Sequence, residues 1–359
     1  MLSTVGVRRL LAATAVTAAL TACGSTAATS SSTASSAAGS TATSAGGGST
    51  TTTKAAATTG TTAKATTSSA AGRPPMGGSS SGPTPTKADV AYASTSSSQV
   101  LDLWLPPNAS GPVPLVIFIH GGAFKGGDKA MEAGNVQALL DRGYAVASVN
   151  YRLSGEAPFP AAVQDVKAAV RYLRANATTY GINPDQIVAW GESAGGNLAA
   201  MLGVTGGQAS SQLDDPSLGN AGVSSAVQAV VDWFGPTDFL SMDSQQSSTK
   251  CTSPESHDPA SSPESQYVGA AIQTVPDQAK AASPLTYVAT ASTLPVFVIA
   301  HGDTDCQIPP AQSQSLHDAL VTKGATATLT ILPGAGHGDP QFSTQVTPTI
   351  DILDQTFGR

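Results

Sequence analysis

Short apolar runs alternate with amphipathic segments from residue 87 to the end of the chain. The runs at 115–119 and 295–300 are continuous, which is typical of strands buried on both faces of a parallel sheet. Segment 160–177 repeats its apolar residues at helical spacing, which predicts an amphipathic helix. Its charged residues, including Lys167 and Arg171, lie off the apolar face or at its edge.

Regular alternation of strands and helices predicts an α/β fold, with a mostly parallel central sheet and helices on both faces. The predicted strands are 87–93, 100–105, 115–119, 144–149, 187–190, 226–234, 295–300 and 325–332. The predicted helices are 131–142, 160–177, one beginning near 197, 309–321 and 344–357. Residues 240–291 are mainly polar and lack the clear periodicity of a strand or helix. We call this segment between two late strands the excursion, and we expect it to cover the site only in part.

The first 86 residues are predicted to lie outside this domain, which we assign to 87–359. Residues 1–23 combine Arg8 and Arg9 with a short apolar run and end in Leu-Thr-Ala-Cys23, which matches the lipobox of bacterial lipoprotein precursors. This match implies cleavage before Cys23 and lipid attachment to its sulfur, and the alternative is an ordinary secretory signal cleaved nearby. We therefore expect an exported protein that is lipid-anchored at the cell envelope.

Residues 24–86 differ in composition from both of their neighbours. Of these 63 residues, 55 are Ser, Thr, Ala or Gly, and none is Leu, Ile, Val or aromatic. Such a segment cannot bury enough apolar surface to offset the entropy of ordering, so it is predicted to be a disordered tether.

The excess of acidic over basic residues in the domain argues against two classes of binding partner, namely nucleic acids and anionic membrane surfaces. All 24 acidic residues lie within 87–359, together with 12 of the 17 Lys and Arg residues. A nucleic-acid partner is not expected, because binding nucleic acid needs a basic face. Contact with a membrane is expected only through the lipid on Cys23.

The sequence Gly191-Glu-Ser193-Ala-Gly195 joins a predicted strand to a predicted helix. A serine on such a sharp turn is exposed at the end of the strand, and small residues two positions away on either side avoid clashes. Loops carrying His120, Asp303 with Asp305, and His337 also follow predicted strands, at the edge of the sheet where ligands bind. A serine nucleophile needs a base, and the base needs a carboxylate. The residues alone leave Asp303 and Asp305 as alternatives.

The segment from about Val100 to Phe357 resembles α/β hydrolases of the hormone-sensitive-lipase-like esterases, and most nearly the bifunctional feruloyl and acetyl-xylan esterases. The motifs that carry the resemblance are His120-Gly-Gly-Ala-Phe, Asn150-Tyr-Arg, Tyr180-Gly-Ile-Asn-Pro-Asp-Gln-Ile, Gly191-Glu-Ser-Ala-Gly-Gly, Ser262-Pro-Glu-Ser, Ala282-Ser-Pro-Leu-Thr-Tyr and His301-Gly-Asp-Thr-Asp.

The resemblance implies a role for each residue of the site. Ser193 is the nucleophile, His337 is the base, and Asp305 rather than Asp303 is the acid, because it matches His-Gly-x-x-Asp. The oxyanion hole is formed by the N–H groups of three residues, Gly122, Ala123 and Ala194.

These residues predict a serine ester hydrolase that works through an acyl-enzyme on short-chain or carbohydrate-linked esters, with acetyl and feruloyl groups both open. The alternatives are a prolyl-oligopeptidase-like serine peptidase and a non-catalytic cell-surface binding module. No cluster has metal-ligand spacing, so neither a metal nor a cofactor is expected.

The remaining candidates have structural interpretations. If Cys23 carries lipid, Cys251 and Cys306 remain as an even pair, which suggests a disulfide in an exported protein, with two free thiols as the alternative. We expect His257 to be exposed in the polar excursion and assign no acid–base role to Glu192.

Overall fold

Eight strands form a single sheet in the computed structural model, which describes residues 82–206 and 212–359. The strands are β1 (Lys87–Ala91), β2 (Val100–Trp104), β3 (Val113–Ile119), β4 (Ala145–Val149), β5 (Ile182–Glu192), β6 (Ala229–Trp233), β7 (Val296–Gly302) and β8 (Ala327–Leu332). Their order is β1-β2-β4-β3-β5-β6-β7-β8. The pairs β1–β2 and β2–β4 are antiparallel and all others are parallel. The predicted mostly parallel sheet is therefore confirmed.

Helices cover both faces of the sheet. The α-helices are α1 (Ala133–Asp141), α2 (Ala161–Ala175), α3 (Ala177–Tyr180), α4 (Ala194–Thr205), α5 (Pro263–Val268), α6 (Pro276–Ala281), α7 (Leu285–Val288), α8 (Ala311–Thr322) and α9 (Val346–Phe357). Helices α2, α4 and α8 share one buried apolar cluster, and α1 and α9 contribute to another. Successive residues of β3, such as Ile117 and Phe118, belong to different clusters, because successive side chains of a strand point to opposite faces.

Two cations on α2 are buried, which the helical pattern did not reveal. The side chain of Lys167 is fully buried, and Asp214 forms ion pairs with both Lys167 and Arg171. Burial lowers the pKa of Lys167, and Asp214 offsets only part of that effect. The segment around Asp214 lies far along the chain from α2, which is why helical periodicity did not reveal the pairing.

The described domain begins earlier than the predicted boundary at 87. Trp104 Nε1 donates a hydrogen bond to the carbonyl of Pro83 (2.7 Å), and the Leu105 N–H donates to Oγ1 of Thr86 (3.0 Å). Both contacts lie at the C-terminal end of β2, where Trp104 pairs with Val146 near the start of β4.

The excursion between β6 and β7 is folded into short helices. Besides α5, α6 and α7 it contains 3₁₀ turns at Phe239–Ser241, Asp243–Ser248 and Ile272–Thr274. Its buried aromatic residue Tyr267 stacks on Phe124, with 3.9 Å between the ring centroids. The cover is therefore packed against the loop that follows β3.

None of the helices within 82–206 and 212–359 is long and apolar enough to span a membrane. The predicted signal peptide, Cys23 and the tether as far as residue 81 lie outside the described residues and remain predictions.

Candidate active site

Ser193 occupies a sharp turn between β5 and α4. Its backbone has φ 54° and ψ −122°, a combination that is rare for a residue with a side chain. A Cβ atom at Gly191 would lie 2.0 Å from the carbonyl oxygen of Gly195, and one at Gly195 would lie 1.9 Å from that of Ile119. Both flanking positions therefore need glycine, as the sequence pattern indicated.

The turn brings Ser193 against His337. The distance from Ser193 Oγ to His337 Nε2 is 2.9 Å, and His337 Nδ1 lies 2.7 Å from Oδ2 of Asp305. Because an ionised carboxylate only accepts hydrogen bonds, Nδ1 carries the proton and the lone pair of Nε2 faces the serine hydroxyl. The arrangement can accept a proton from Ser193 and hold the charge that this creates.

Asp305 is fully buried, and its carboxylate is surrounded by donors. Oδ1 accepts hydrogen bonds from the N–H groups of Gln307 (2.8 Å) and Ile308 (2.9 Å). Burial raises the pKa of Asp305, but hydrogen bonds from His301 and His337 lower it more strongly, so it stays well below its ordinary value. The carboxylate remains charged over the whole neutral range.

Asp303, the other candidate acid, makes different contacts. Its side chain pairs with Lys250 and accepts a hydrogen bond from the N–H of Gly334 (2.6 Å). These hydrogen bonds, the one from Lys250 above all, lower its pKa. The structure thus brings Asp305, and not Asp303, to His337.

The loop carrying His337 is held against the loop after β7. The Thr304 N–H donates to the Ala335 carbonyl (3.0 Å), and the Asp303 N–H donates to that of Leu332 (3.1 Å). The imidazole of His337 also packs on the Phe234 ring, with 4.7 Å between centroids. These contacts fix the ring that faces Ser193.

The loop after β3 approaches Ser193 from the other side. A Cβ atom at Gly121 would lie 3.3 Å from that of Ser193. Gly122, Ala123 and Phe124 all have positive φ, and the Gly122 carbonyl accepts hydrogen bonds from the next turn, at Lys125 and Gly126 (both 3.0 Å). The N–H groups of Gly122 and Ala123 make no hydrogen bond within the described residues.

The N–H of Ala194 is a further donor at this position. Ala194 is the first residue of α4, so its N–H precedes the first bond within the helix. Ala123, Ser193 and Ala194 line one cleft. Gly122 adjoins it in sequence but does not line it.

The two histidines near the glycine-rich loops have structural contacts. His120 Nδ1 donates to the Gly121 carbonyl (2.8 Å), and its ring stacks on Tyr151. His301 Nε2 donates to the Ile308 carbonyl (2.9 Å) and lies 3.3 Å from Oδ2 of Asp305. His301 therefore also touches the acid of the site.

The cleft is small, and residues of the excursion form part of its wall. Its free volume is about 20 Å³, which is roughly the room that one water molecule needs. Its lining residues are Ala123, Phe124, Ser193, Ala194, Pro236, Glu255, His257, Pro263, Glu264, Gln307 and Ile308. The wall facing Ser193 thus combines apolar and polar side chains.

His257 is buried in this wall, so the expectation that it is exposed was wrong. Only 2% of the residue is accessible, and Nδ1 lies 2.9 Å from Oε2 of Glu264. Burial lowers the pKa of His257, but Glu264, Asp243 and the carbonyl of Gln307 together raise it above its ordinary value. The sequence did not predict the contact between His257 and Glu264, because this contact depends on how the excursion folds. The one sequence feature that pointed to this region was the motif Ser262-Pro-Glu-Ser265, which contains Glu264.

Glu192, next to the nucleophile, makes no hydrogen bond with its side chain to another described residue. Burial raises its pKa to about 7. No contact with Ser193, His337 or Asp305 gives its carboxyl a part in proton transfer.

Cys251 and Cys306 form a disulfide that joins the excursion to the acid loop. The same two segments are joined by hydrogen bonds from Thr249 Oγ1 to the Asp305 carbonyl (2.7 Å) and from the Glu255 N–H to the Cys306 carbonyl (2.8 Å). Within 82–206 and 212–359, no three His, Cys, Asp or Glu side chains are grouped so that they could hold a metal ion.

The BD-FAE family model matches residues 101–320 of this chain. The chain belongs to this family. Among curated proteins, it is 32% identical over 245 residues to esterase LipC and 31% identical over 258 residues to esterase LipQ, both of Mycobacterium tuberculosis. These matches cover 67% and 70% of this chain. The chain spans only 57% and 56% of the length of these two relatives.

A solved structure supports the same membership over almost its whole length. A truncated form of a carbohydrate esterase from gut microbiota is 36% identical with a TM-score of 0.67, and the match covers 78% of this chain and 98% of that one. An esterase of Thermogutta terrifontis, 20% identical with a TM-score of 0.61, covers 76% of this chain and 96% of that one and shares the fold. The predicted α/β-hydrolase fold and the esterase family resemblance are confirmed, and none of these relatives is described as a peptidase.

Proposed function

We propose that this protein is a serine carboxylic-ester hydrolase in which Ser193, His337 and Asp305 form the catalytic triad. The observation that carries the proposal is the continuous contact from Ser193 Oγ through the two nitrogens of His337 to Oδ2 of Asp305. The curated relatives named above are esterases, which supports the same reaction.

The reaction proceeds through an acyl-enzyme. Ser193 Oγ attacks the ester carbonyl carbon while its proton passes to Nε2 of His337. His337 returns that proton to the departing alcohol oxygen, and the carbon–oxygen bond of the ester breaks. A water molecule then attacks the acyl-enzyme, gives its proton to His337, and releases the acid as the proton returns to Ser193.

Asp305 and the backbone donors stabilise the charges that form. The carboxylate of Asp305 holds His337 in one tautomer and offsets the positive charge of the imidazolium. The N–H groups of Gly122, Ala123 and Ala194 donate to the oxyanion. A donor of this kind typically contributes about 3–4 kcal/mol to transition-state stabilisation.

The cleft favours a short acyl group. Because the cleft is narrow, an acetyl group requires less movement of the cover than a feruloyl group. The solved relative that is described as a carbohydrate esterase supports a carbohydrate as the alcohol. We expect acetylated carbohydrate as the substrate class.

The decisive experiment compares wild type with Ser193→Ala on p-nitrophenyl acetate, and then on butyryl, octanoyl and feruloyl esters and acetylated xylan. We expect Ser193-dependent hydrolysis that falls as the acyl chain lengthens. No hydrolysis by wild type, with S193A behaving identically, would refute the proposal and favour a non-catalytic binding module.

We propose in addition that the chain is exported and anchored by lipid on Cys23, on the strength of Leu-Thr-Ala-Cys23 after a short apolar run. Metabolic labelling with a radioactive fatty acid tests this, with Cys23→Ser as the control. Processing that is insensitive to globomycin, or equal labelling of C23S, would exclude the anchor.

A further inference from the structure

His257 and Glu264 have no part in the proton transfers proposed above, yet both line the cleft of Ser193. Only 2% of His257 and 3% of Glu264 is accessible. Burying two ionisable side chains in the wall of a cleft costs free energy unless all their polar atoms are hydrogen-bonded or ion-paired. Such a cost is retained where the side chains serve a function. Nδ1 of His257 is paired with Glu264, whereas Nε2 is buried and makes no well-formed hydrogen bond within the described residues, with the Gln307 carbonyl beside the ring.

The imidazole is held firmly in place. Asp243 accepts hydrogen bonds from the His257 N–H (2.6 Å), the Asp258 N–H (3.2 Å) and Ser256 Oγ (2.7 Å), which fixes the backbone on both sides of His257. Glu264 lies in the first turn of α5, where Ser262 Oγ accepts from the Ser265 N–H (3.1 Å). The geometry of the pair is therefore set before any substrate binds.

The orientation of the ring follows from these contacts. A carboxylate only accepts, so Nδ1 of His257 donates to Oε2 of Glu264 (2.9 Å). Nε2 can accept a hydrogen bond in the neutral ring and donate one in the protonated ring. A hydroxyl group suits both states, because it can donate and accept, whereas a carbonyl oxygen can only accept.

The rest of this wall fits a polyhydroxylated alcohol better than an apolar one. Glu255 and Gln307 also line the cleft and offer carboxylate and amide groups close to its mouth, where both residues are exposed.

We infer that His257, held by Glu264, recognises a substrate hydroxyl next to the ester and so determines specificity for esters of polyhydroxylated alcohols. This inference rests on the proposed function of Ser193. His257 contacts the substrate, and Glu264 is a positioning residue.

Three substrates distinguish an effect on hydroxyl recognition from an effect on ester cleavage itself. They are p-nitrophenyl acetate, methyl 3-O-acetyl-xyloside, and the 2,4-dideoxy analogue of that xyloside. We expect wild type to hydrolyse the xyloside with a kcat/KM about tenfold or more above that of the dideoxy analogue. His257→Phe keeps a ring but removes both nitrogens. This variant should lower kcat/KM for the xyloside by about 10- to 100-fold. It should change kcat/KM for each of the other two substrates by less than about threefold.

Because H257F leaves Glu264 without its partner and can fail to fold, thermal melting accompanies each assay and Glu264→Gln is the second variant. E264Q should lose activity selectively on the xyloside, with the KM rising more than kcat falls. His317→Phe, on a partly exposed histidine of α8, is the matched control and should leave all three rates unchanged.

Two results would overturn the inference. One is a wild type that hydrolyses the xyloside and its dideoxy analogue equally well. The other is folded H257F or E264Q that loses the same factor on all three substrates. Failure of the proposed function is a different result, because wild type would then show no Ser193-dependent hydrolysis of p-nitrophenyl acetate.

Discussion

Oδ2 of Asp305 lies 2.7 Å from Nδ1 of His337, while Asp303, only two residues earlier, pairs with Lys250. The two carboxylates belong to one loop, yet only one of them touches the imidazole. This difference allows the acid of the triad to be tested by a matched pair of variants.

Asp305→Asn should lower kcat by about 10³- to 10⁴-fold, because an amide in place of the carboxylate no longer fixes the tautomer of His337 or offsets its charge. Asp303→Asn should change kcat less than about threefold. Steady-state kinetics on p-nitrophenyl acetate measure both effects, with thermal melting to show that each variant folds. A D303N variant as impaired as D305N would contradict the assignment of the acid.

Gly195→Ala should destabilise the domain severely or prevent its folding, since the added Cβ would lie 1.9 Å from the Ile119 carbonyl oxygen. We expect a loss above about 3 kcal/mol in the free energy of unfolding. Gly126→Ala is the control, because no atom lies within 4 Å of a Cβ at that position. Urea unfolding compares the two, and near-equal midpoints would show that the turn at Ser193 can relax.

Replacing both Cys251 and Cys306 by serine should lower the free energy of unfolding by about 4 kcal/mol, from the loop entropy of a link between residues 55 apart. Hydrogen bonds such as that from Thr249 Oγ1 to the Asp305 carbonyl remain, so activity at low temperature should largely persist. A thiol titration of the unfolded, unreduced wild-type domain establishes the disulfide. Unchanged melting in the double variant would mean that the link does not stabilise the domain.

Asp232 should make the domain less stable as pH rises from about 4 to about 6. Its carboxyl is fully buried, Oδ2 has no partner among the described residues, and burial raises its pKa to about 6 from 3.8. In that window the folded state keeps a proton that the unfolded state loses, so the free energy of unfolding decreases as pH increases.

Asp232→Asn removes this dependence and keeps the acceptor for the Gly235 N–H. The stability of wild type relative to D232N should therefore fall by about 2–3 kcal/mol between pH 4 and pH 6 and stay constant above that. Urea unfolding of both proteins at several pH values measures the difference, in which the other titrating groups cancel. A difference that does not vary with pH would refute the raised pKa.

The sequence was sufficient to predict the contacts that follow from strand order. Ser193, Asp305 and His337 each follow a parallel strand, and the carboxyl ends of parallel strands meet at one edge of the sheet. The choice of Asp305 over Asp303 came from the family resemblance and not from strand order. Apolar runs and the glycines around Ser193 are local signals, so they could be interpreted without knowing the fold.

The features that the sequence did not reveal concern residues whose surroundings come from distant parts of the chain. His257 lies in a polar segment, and its burial depends on Glu264 and on Asp243, which holds the backbone beside it. Lys167 lies on a helix whose far side is covered by the segment around Asp214. Periodicity reports which residues share a face, but it does not report what will cover that face.

The hydrogen bond from Trp104 to Pro83 determines where the preceding chain joins the domain. Because β2 runs antiparallel to β4, Trp104 lies at the edge of the sheet opposite the carboxyl ends of the parallel strands. The chain thus enters the domain on the side opposite Ser193. A bulky substrate that approaches Ser193 therefore does not meet the first described residues of the chain.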